Sequence, residues 1–291
     1  MLRQIAIVSG KGGTGKTTLS ASFAYLAKHP VMADCDVDAP NLHIILKPEI
    51  KETHEYIGSK KAALNQSKCV KCGICQQVCR FDAVGFDEGR YFIREYACEG
   101  CNACVMKCPA GALELVDSLS GKYFSSKTEN GPLIHALLGL GEETSGGLIA
   151  EVRKMAVKVA REQEIPVVII DGAPGIGCPA TSSISSTSYV IVVSEPTMSG
   201  LHDLKRIVQT VKHFRIPMGI VINKYDINEF QTDEIVKYCE DESLEILGKI
   251  PYDKMVKTAT EQAKPVVAYD SLASDEIRKI WNKVENIAMK R

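Results

Sequence analysis

The sequence predicts an α/β protein whose mostly parallel sheet carries helices on both faces and is interrupted by a small, inserted, cysteine-rich α+β domain. Three observations predict this fold class. Short apolar runs alternate with helical patterns, a glycine loop joins the first run to the first helix, and eight of the 11 cysteines fall between Cys69 and Cys108. Strands that alternate with helices are typical of parallel sheets, because each crossover connection needs room for a helix.

The composition is that of an ordinary globular protein. Of the 291 residues, 45% are hydrophobic and 24% are charged, and the formal net charge is -1, which gives no indication of a nucleic-acid partner. No apolar stretch reaches the roughly 20 residues that span a bilayer, and the N-terminus lacks a secretory signal. We therefore expect a cytoplasmic protein with no nucleic-acid partner and no stable membrane insertion. In that compartment clustered thiols more often bind metal than form disulfides.

The remaining elements follow from apolar periodicity. Strands are predicted at 2–9, 31–35, 165–170, 189–193 and 218–222, with a weaker candidate at 244–247, and helices at 16–28, 201–214, 230–241 and 275–290. The last helix has an apolar stripe that is expected to pack on the sheet, with a membrane-surface helix as the alternative. Residues 60–115 break the alternation and indicate an insertion between the second and third strands. Residues 120–148 are rich in Gly and Ser and are expected to form loops.

The glycine loop after the first strand fits the phosphate-binding pattern G-x-x-x-x-G-K-[ST]. Its residues are Gly10, Lys11, Gly12, Gly13, Thr14, Gly15, Lys16, Thr17 and Thr18. Glycines let backbone N–H groups turn toward phosphates, and the N-terminus of the following helix adds to the attraction. Lys16 is expected to reach the β- and γ-phosphates, Thr17 to bind Mg²⁺ and Thr18 to contact the α-phosphate.

Acidic residues follow two of the predicted strands. Asp34, Asp36 and Asp38 follow the second strand, and Asp171 follows the run IPVVII. Ligands of open α/β sheets lie outside the carboxyl ends of the strands, so these acids are placed to serve Mg²⁺ and an attacking water. For the acids after the second strand, a helix-cap or turn role is the alternative.

Lys11 gives the loop the form KGGTGKTT, through which the chain resembles the MinD/ParA ATPases and the nitrogenase iron protein. The resemblance implies a P-loop NTPase fold that binds ATP and Mg²⁺, and a dimer with itself or with a related ATPase. It also implies that Lys11 reaches the nucleotide of the partner subunit, that Asp36 positions the attacking water and that Asp171 holds Mg²⁺ through water. Lys11, Lys16, Asp36 and Asp171 are thus the expected catalytic residues.

The same resemblance extends to the base end of the nucleotide. Asn223 follows the strand at 218–222, and the family implies that it contacts adenine. Pro251 and Tyr252 match a family stretch that passes near the base. Asp226 completes an N-K-x-D sequence, which is typical of guanine recognition in GTPases, but the Lys11 form of the loop favours ATP. A structural turn is the alternative for each of these segments.

Two cysteine runs repeat the spacing C-x2-C-x2-C-x3-C, which is that of bacterial ferredoxins. The runs are Cys69, Cys72, Cys75 and Cys79, and Cys98, Cys101, Cys104 and Cys108. Resemblance to two-cluster ferredoxins implies that the fourth cysteine of each run serves the other cluster. Cys69, Cys72, Cys75 and Cys108 would then hold one [4Fe–4S] cluster, and Cys98, Cys101, Cys104 and Cys79 the second. Zinc is the rival ligand, since C-x2-C pairs also suit it.

Together these features predict a discontinuous ATPase domain at 1–58 and 117–291, with a ferredoxin-like domain inserted at 59–116. The implied function couples an ATP-driven dimer switch to electron transfer, or to metal-cluster assembly, on a redox or metallocluster partner protein. A spatial organiser of the MinD/ParA type and an electron carrier with the ATPase fold as scaffold are the alternatives. Cys35 and Cys239 are expected to fill the core. Cys178 is expected to be a buried thiol, or to bind a cluster shared between subunits.

Overall fold

The computed structural model describes residues 2–142 and 145–289. Within them the strands are β1 (Arg3–Ser9), β2 (Val31–Asp34), β3 (Glu49–Leu64), β4 (Val84–Asp87), β5 (Arg90–Ile93), β6 (Leu113–Thr128), β7 (Gly131–Leu138), β8 (Val167–Pro174), β9 (Tyr189–Ser194), β10 (Met218–Asn223) and β11 (Glu245–Ile250). The α-helices are α1 (Lys16–Leu26), α2 (Leu42–Leu46), α3 (Ile74–Val78), α4 (Ala103–Lys107), α5 (Ser145–Glu162), α6 (Cys178–Ile184), α7 (Met198–His213), α8 (Glu229–Asp241), α9 (Lys254–Glu261) and α10 (Leu272–Val284). Short 3₁₀ turns lie at Glu95–Ala97 and Val266–Ala268, and a π-helical turn at Glu285–Met289.

In the described part of the chain, nine strands form one sheet in the order β11-β10-β9-β1-β8-β2-β7-β6-β3. Every pairing from β11 to β7 is parallel. The predicted α/β class with a mostly parallel sheet is therefore confirmed. Because β1, β8 and β2 are neighbours, their carboxyl ends lie side by side, and the glycine loop and the acidic residues that follow them meet at one edge.

The core beside this edge is built from β-branched strand residues and two amphipathic helices. Ile5 of β1 and Ile169 of β8 are fully buried neighbours in the parallel register. Phe23 of α1 packs on Trp281 of α10, with ring centroids 4.9 Å apart. The apolar stripe of the C-terminal helix is thus buried on its own sheet, as the sequence predicts, and Ile287 in the following turn is partly buried against the same cluster.

The expectation that residues 120–148 form loops is wrong. They contain most of β6, all of β7 and the start of α5. β7 pairs in parallel with β2, and its residues Leu133 and Ile134 are fully buried. The edge strand β3 was likewise missed, because charged and polar residues dominate its mostly exposed length and leave no apolar run to detect.

The chain divides into two compact units. Unit 1 comprises Met1–Thr53, Tyr123–Leu137 and Ser145–Arg291, and unit 2 comprises His54–Lys122 and Leu138–Thr144. Unit 1 contains the glycine loop and the parallel core of the sheet. Unit 2 contains both cysteine runs, the two-stranded antiparallel β4–β5 hairpin and helices α3 and α4.

Candidate nucleotide site and cysteine cavities

The glycine loop runs from the end of β1 to the first turn of α1. Gly13 and Gly15 have φ angles of 77° and 96°, in the left-handed region that favours glycine. A Cβ atom at Gly15 would also lie 2.3 Å from Nδ2 of Asn223. Lys16 follows as the first residue of α1 and is 5% exposed. The sequence thus forms a strand, a tight turn and a helix N-terminus, which is the arrangement that binds phosphates.

Asn223, at the end of β10, closes one side of the loop. Its Nδ2 donates a hydrogen bond of 2.8 Å to the backbone oxygen of Thr14. The hydroxyl of Thr14 is buried and has no hydrogen-bond partner among the described residues. Since a buried hydroxyl without a partner is costly, this group points to a ligand at the loop.

A cavity of about 210 Å³ lies between this loop and the end of β10. Gly15, Thr18 and Asn223 line its polar side, and Ile250 lines its apolar side. Pro251 and Tyr252 do not line it, and Tyr252 is 56% exposed. Asp226 accepts a 2.7 Å hydrogen bond from the backbone N–H of Tyr252, so one of its carboxylate oxygens is already bonded to the protein.

Lys11 is held in its own chain by a set of residues that the sequence analysis did not identify. Its Nζ lies 2.8 Å from Oε1 of Glu195, and within 3.2 and 2.9 Å of the hydroxyls of Thr197 and Ser199. Glu195 also pairs with Lys224 at 3.3 Å. Partial burial raises the pKa of the Glu195 carboxyl, but the two lysines outweigh it and hold the pKa below its usual range. The sequence does carry a signal for this contact, because the polar residues Ser-Glu-Pro-Thr directly follow the apolar run of β9 at the carboxyl edge of the sheet.

Asp34 and Asp171 face each other at the ends of the paired strands β2 and β8, and both are buried. Asp34 accepts backbone N–H groups on both oxygens, from Asp36 at 3.1 Å and Leu42 at 3.2 Å. Asp171 accepts the hydroxyl of Ser20 at 2.9 Å on Oδ1, whereas its buried Oδ2 has no partner among the described residues. Asp34 therefore organises the loop after β2, and Asp171 has a free oxygen for a cation.

Burial raises the pKa of the three carboxyl groups at this edge, Asp34, Asp36 and Asp171. It raises the pKa of Asp34 well above its usual range, and the nearby Asp171 charge adds to that effect. Burial also raises the pKa of Asp171, against the opposing charge of Lys16 and the hydrogen bond from Ser20. Asp36 is half-buried, and burial raises its pKa against the pull of Lys16. The unpartnered carboxylate oxygen of Asp171 suits a hard cation such as Mg²⁺, and the buried carboxyl of Asp34 beside it adds to the negative charge that favours a cation there.

The eight clustered cysteines of unit 2 line two separate cavities, four to each. The first is lined by Cys69, Cys72, Cys75 and Cys108, together with apolar side chains such as Leu64 and Leu113. The second is lined by Cys79, Cys98, Cys101 and Cys104, together with residues such as Phe81 and Val84. The last cysteine of each run therefore lies with the first three of the other run.

The two runs share one backbone geometry. Left-handed residues recur at matching positions, in the pairs Lys71 and Gly100, Gly73 and Asn102, and Asp82 and Gly111. Ala83 and Ala112 donate backbone N–H groups to the sulfurs of Cys79 and Cys108, each at 3.3 Å, and Ala62 donates to Cys98 at 3.3 Å. Among residues 2–142 and 145–289, no three cysteine, histidine or carboxylate side chains are arranged to hold a single metal ion.

The three remaining cysteines differ from one another. Cys35 and Cys239 are buried, as predicted for core residues. The expectation of a buried thiol at Cys178 is wrong, because this residue is exposed at the first position of α6. No helix within the described residues is both long enough and apolar enough to cross a membrane.

A match to a known protein family is consistent with a nucleotide site at the glycine loop. Residues 5–266 match the family described as CobQ/CobB/MinD/ParA nucleotide binding domain. An uncharacterized protein of Methanocaldococcus jannaschii is 33% identical over 288 residues, which cover 98% of this chain and 97% of that protein. An iron-sulfur cluster carrier protein of Pyrococcus abyssi is 23% identical, over 97% of this chain and 85% of its own length.

Among solved structures, the septum site-determining protein MinD of Pyrococcus horikoshii, in complex with Mg-ADP, superimposes with a TM-score of 0.61. It is 19% identical, and the match covers 99% of this chain and 98% of that one, so it shows a shared fold. The family match spans the glycine loop, both acidic strand ends and Asn223. The chain belongs to the CobQ/CobB/MinD/ParA family of nucleotide-binding domains.

Proposed function

We propose that this protein is an ATP-hydrolysing iron–sulfur protein that binds two [4Fe–4S] clusters and uses ATP to control electron transfer to a partner protein. The observation that carries the proposal is the division of eight cysteines between two cavities, four to each, in the crossed pattern of two-cluster ferredoxins. A nucleotide site of the family form lies in the same chain.

The cysteine cavities fit the clusters chemically. Cys69, Cys72, Cys75 and Cys108 would hold one cluster, and Cys98, Cys101, Cys104 and Cys79 the other. Backbone N–H groups already point at three of these sulfurs and would stabilise thiolates bound to iron. Each cluster, when bound, supplies a one-electron redox centre. Zinc is the weaker candidate, because a tetrahedral zinc site brings its sulfurs to within roughly 3.8 Å of one another, and no three of the described ligands converge on one ion.

On the nucleotide side, Lys16 and the backbone of residues 10–15 would hold the phosphates of ATP. Thr17 and the free oxygen of Asp171 would hold Mg²⁺, with Asp171 acting through water. Asp36 would orient the attacking water, and its raised pKa brings this carboxylate closer to the basicity that proton transfer needs. Asn223 would exchange its bond to Thr14 for contact with adenine, at the cavity that it lines.

Dimer formation would draw Lys11 out of its contacts with Glu195, Thr197 and Ser199 and into the nucleotide site of the partner subunit. Lys212 provides a control, because it is an exposed lysine of α7 that pairs with Glu242 and does not line the nucleotide cavity. We expect Lys11→Ala to abolish the ATP-induced increase in molecular mass, and Lys212→Ala to retain it. Equal ATP-induced dimerisation in the two variants would contradict a role for Lys11 across the interface.

Resident redox centres are favoured over clusters carried as cargo, which is the role that the name of the Pyrococcus abyssi relative suggests. Four cysteines for each cavity leave no position open for a receiving protein's ligand, and complete ligation slows cluster release. Electron transfer needs no such release. Two cavities within one small unit also suit electron exchange between two clusters.

The test begins with protein purified without oxygen and analysed for iron, acid-labile sulfide and retained adenine nucleotide. We expect eight irons and eight sulfides per chain, from two four-iron clusters. Cys104→Ser should remove one cluster's signal in electron paramagnetic resonance, whereas Cys178→Ser, which changes an exposed thiol outside both cavities, should remove none. Colourless oxygen-free protein would exclude the iron–sulfur assignment.

Control by ATP is tested separately, by following reoxidation of the reduced clusters by an acceptor with and without ATP. The natural protein should change its rate with ATP, and Lys16→Ala should not. If ATP changes neither the rate nor the cluster potentials while the natural protein still hydrolyses ATP, the coupling is absent and the ATPase fold serves as a scaffold.

A further inference from the structure

A second large cavity of unit 1 lies away from the nucleotide edge. It is an open groove of about 740 Å³ between α5, the end of α6 and the start of β1. Gln4, near the amino end of β1, lines it, whereas the glycine loop follows the carboxyl end of the same strand. Five residues of extended strand, roughly 17 Å, separate the two places, so this groove is not part of the nucleotide site.

The groove concentrates positive charge in a chain whose net charge is -1. Arg153, Lys154, Lys158 and Arg161 line it, against one acidic residue, Glu162. We call this feature the basic groove. The ion pairs of Lys158 with Glu162, at 3.9 Å, and of Lys154 with Glu151, at 3.4 Å, are exposed. Exposed pairs of this kind contribute little and leave the lysines available.

Arg153 forms the floor of the groove and has neutral partners. Its guanidinium donates to the backbone oxygen of Ser182 at 2.7 Å, to the hydroxyl of Ser185 at 3.0 Å and to Oε1 of Gln4 at 3.0 Å. Its Nε is shielded from solvent and has no partner among the described residues. No carboxylate in the described part of the chain pairs with Arg153 or Arg161. A half-buried guanidinium without a counter-ion is costly, and an anion from outside would offset that cost.

The spacing of the charges indicates the shape of that anion. The four cations span residues 153–161 of α5, which is about 12 Å along the helix axis. A single phosphate cannot contact charges so far apart, so the ligand is extended. The preference of helix C-termini for cations explains Arg161 but not Arg153 or Lys154, which lie two turns earlier.

Two further features favour a peptide over a nucleic acid. The lining includes the apolar side chains of Val157, between the cations along α5, and of Ala150, one turn before them, which suit small apolar side chains of a peptide. None of the residues that line the groove is aromatic, so it offers no stacking platform for bases. We propose that the basic groove binds an extended acidic peptide segment of a partner protein, with carboxylates meeting the row from Arg153 to Arg161. This proposal does not depend on the clusters or on ATP.

The test measures binding of a fluorescein-labelled acidic peptide of about ten residues, long enough to span the groove, in which Asp and Glu alternate with Ala and Val. Fluorescence anisotropy with the full-length protein should show one-to-one binding that weakens as salt is raised. The triple variant Lys154→Gln, Lys158→Gln and Arg161→Gln should bind at least about tenfold more weakly. Lys257→Gln, which removes an exposed lysine of α9 outside the groove, should bind as the natural protein does.

Several outcomes would overturn the proposal. They are the absence of binding, equal binding of a peptide with Asn and Gln in place of the acids, and undiminished binding by the triple variant. Tighter binding of a single-stranded oligonucleotide of the same length would assign the groove to nucleic acid instead. Unchanged thermal unfolding and nucleotide binding in the triple variant would show that a loss of peptide affinity does not come from misfolding. A photoreactive group in the peptide should crosslink to α5 or to the serines that end α6.

Discussion

The two units of this protein are stabilised by different means. Unit 1 buries a large apolar cluster in which Ile5, Phe23 and Trp281 pack against further strand and helix residues. The centre of the cysteine-rich cluster in unit 2 is Ala62, Cys75, Val84 and Leu113, and other cysteines pack around it. Small domains with few buried apolar residues usually need metals or disulfides. Under the proposed function, the nucleotide would bind to a unit 1 that is already folded, whereas the clusters would form part of the core of unit 2.

Removal of the clusters should therefore produce the largest effect. After treatment with a chelator and an oxidant, we expect amide hydrogens of His54–Lys122 to exchange roughly a hundredfold faster or more, because ligand bonds that hold a small domain together contribute folding energy. Strands β8 and β9 of unit 1 should keep their protection. The measurement is hydrogen–deuterium exchange by mass spectrometry on the holo and cluster-free protein.

The matched control is removal of Mg²⁺ and nucleotide alone, which should leave both units protected. If cluster-free protein retained full protection across His54–Lys122, the apolar contacts around Val84 and Leu113 would be sufficient, and the contrast between the units would fail.

The second effect concerns function in unit 1. Asp171→Asn should lower ATP hydrolysis by at least about a hundredfold, because it would remove the negatively charged oxygen that is proposed to hold Mg²⁺. The urea midpoint should hardly change, since the substitution removes one of two buried, mutually repelling carboxylates. Ser20→Ala, which deletes only the hydrogen bond to Oδ1, should cost a few-fold. Unchanged hydrolysis and Mg²⁺ dependence in Asp171→Asn would exclude this carboxylate from the site.

The features that could be predicted from sequence are those whose geometry is local. The loop from Gly10 to Thr18 is one unbroken strand–turn–helix segment, so its pattern alone indicates the structure. The crossed sets of cysteines are implied by the resemblance of both runs to two-cluster ferredoxins, and the two cavities are lined in that pattern. The buried strands β8, β9 and β10 were found because both of their faces are covered, which leaves an uninterrupted apolar run.

The features that could not be predicted depend on contacts between distant segments or on half-exposed surfaces. Lys11 meets Thr197 across 186 positions of sequence, through the packing of the glycine loop on α7. β6 alternates exposed and buried residues, including small polar ones, and reads like a Ser-rich loop. Cys178 is expected to be buried because a free thiol usually packs as a small apolar side chain, but it is exposed at the first position of α6.

A third effect tests the stability of unit 1 against acid. His135 is buried against Phe124 and His43, and its ring nitrogen bonds the hydroxyl of Ser126 at 3.1 Å. Burial, with a smaller contribution from the charge of His43, lowers the pKa of His135 to about 4. The unfolded chain therefore takes up the proton first, and stability is lost as pH falls from about 6.5 toward 4. We expect a loss of about 2 kcal/mol between pH 7 and pH 5 from this residue.

The measurement is urea unfolding of unit 1 at both pH values. His135→Gln should remove most of that pH dependence while keeping a polar partner for Ser126. His29→Gln, which changes an exposed histidine, should leave it intact. An equal loss in the natural protein and in His135→Gln would assign acid sensitivity to other groups, such as the carboxylates of the nucleotide site.

The smallest effect uses the repeat within unit 2 as its own control. Lys71 and Gly100 occupy equivalent positions with φ angles of 58° and 60°, but only the second is glycine. A side chain in this conformation costs about 1–2 kcal/mol, and the added flexibility of the unfolded chain offsets about 0.5–1 kcal/mol of that gain. Lys71→Gly should therefore stabilise the holo protein by roughly 0.5–1 kcal/mol. Lys68→Gly, at an exposed position outside the left-handed region, should be neutral or destabilising. If clusters dominate the stability of unit 2 as proposed, the gain should appear as slower cluster loss on mild oxidation. Equal rates of loss for Lys71→Gly and Lys68→Gly would show that the left-handed conformation at Lys71 stores no strain in the holo protein.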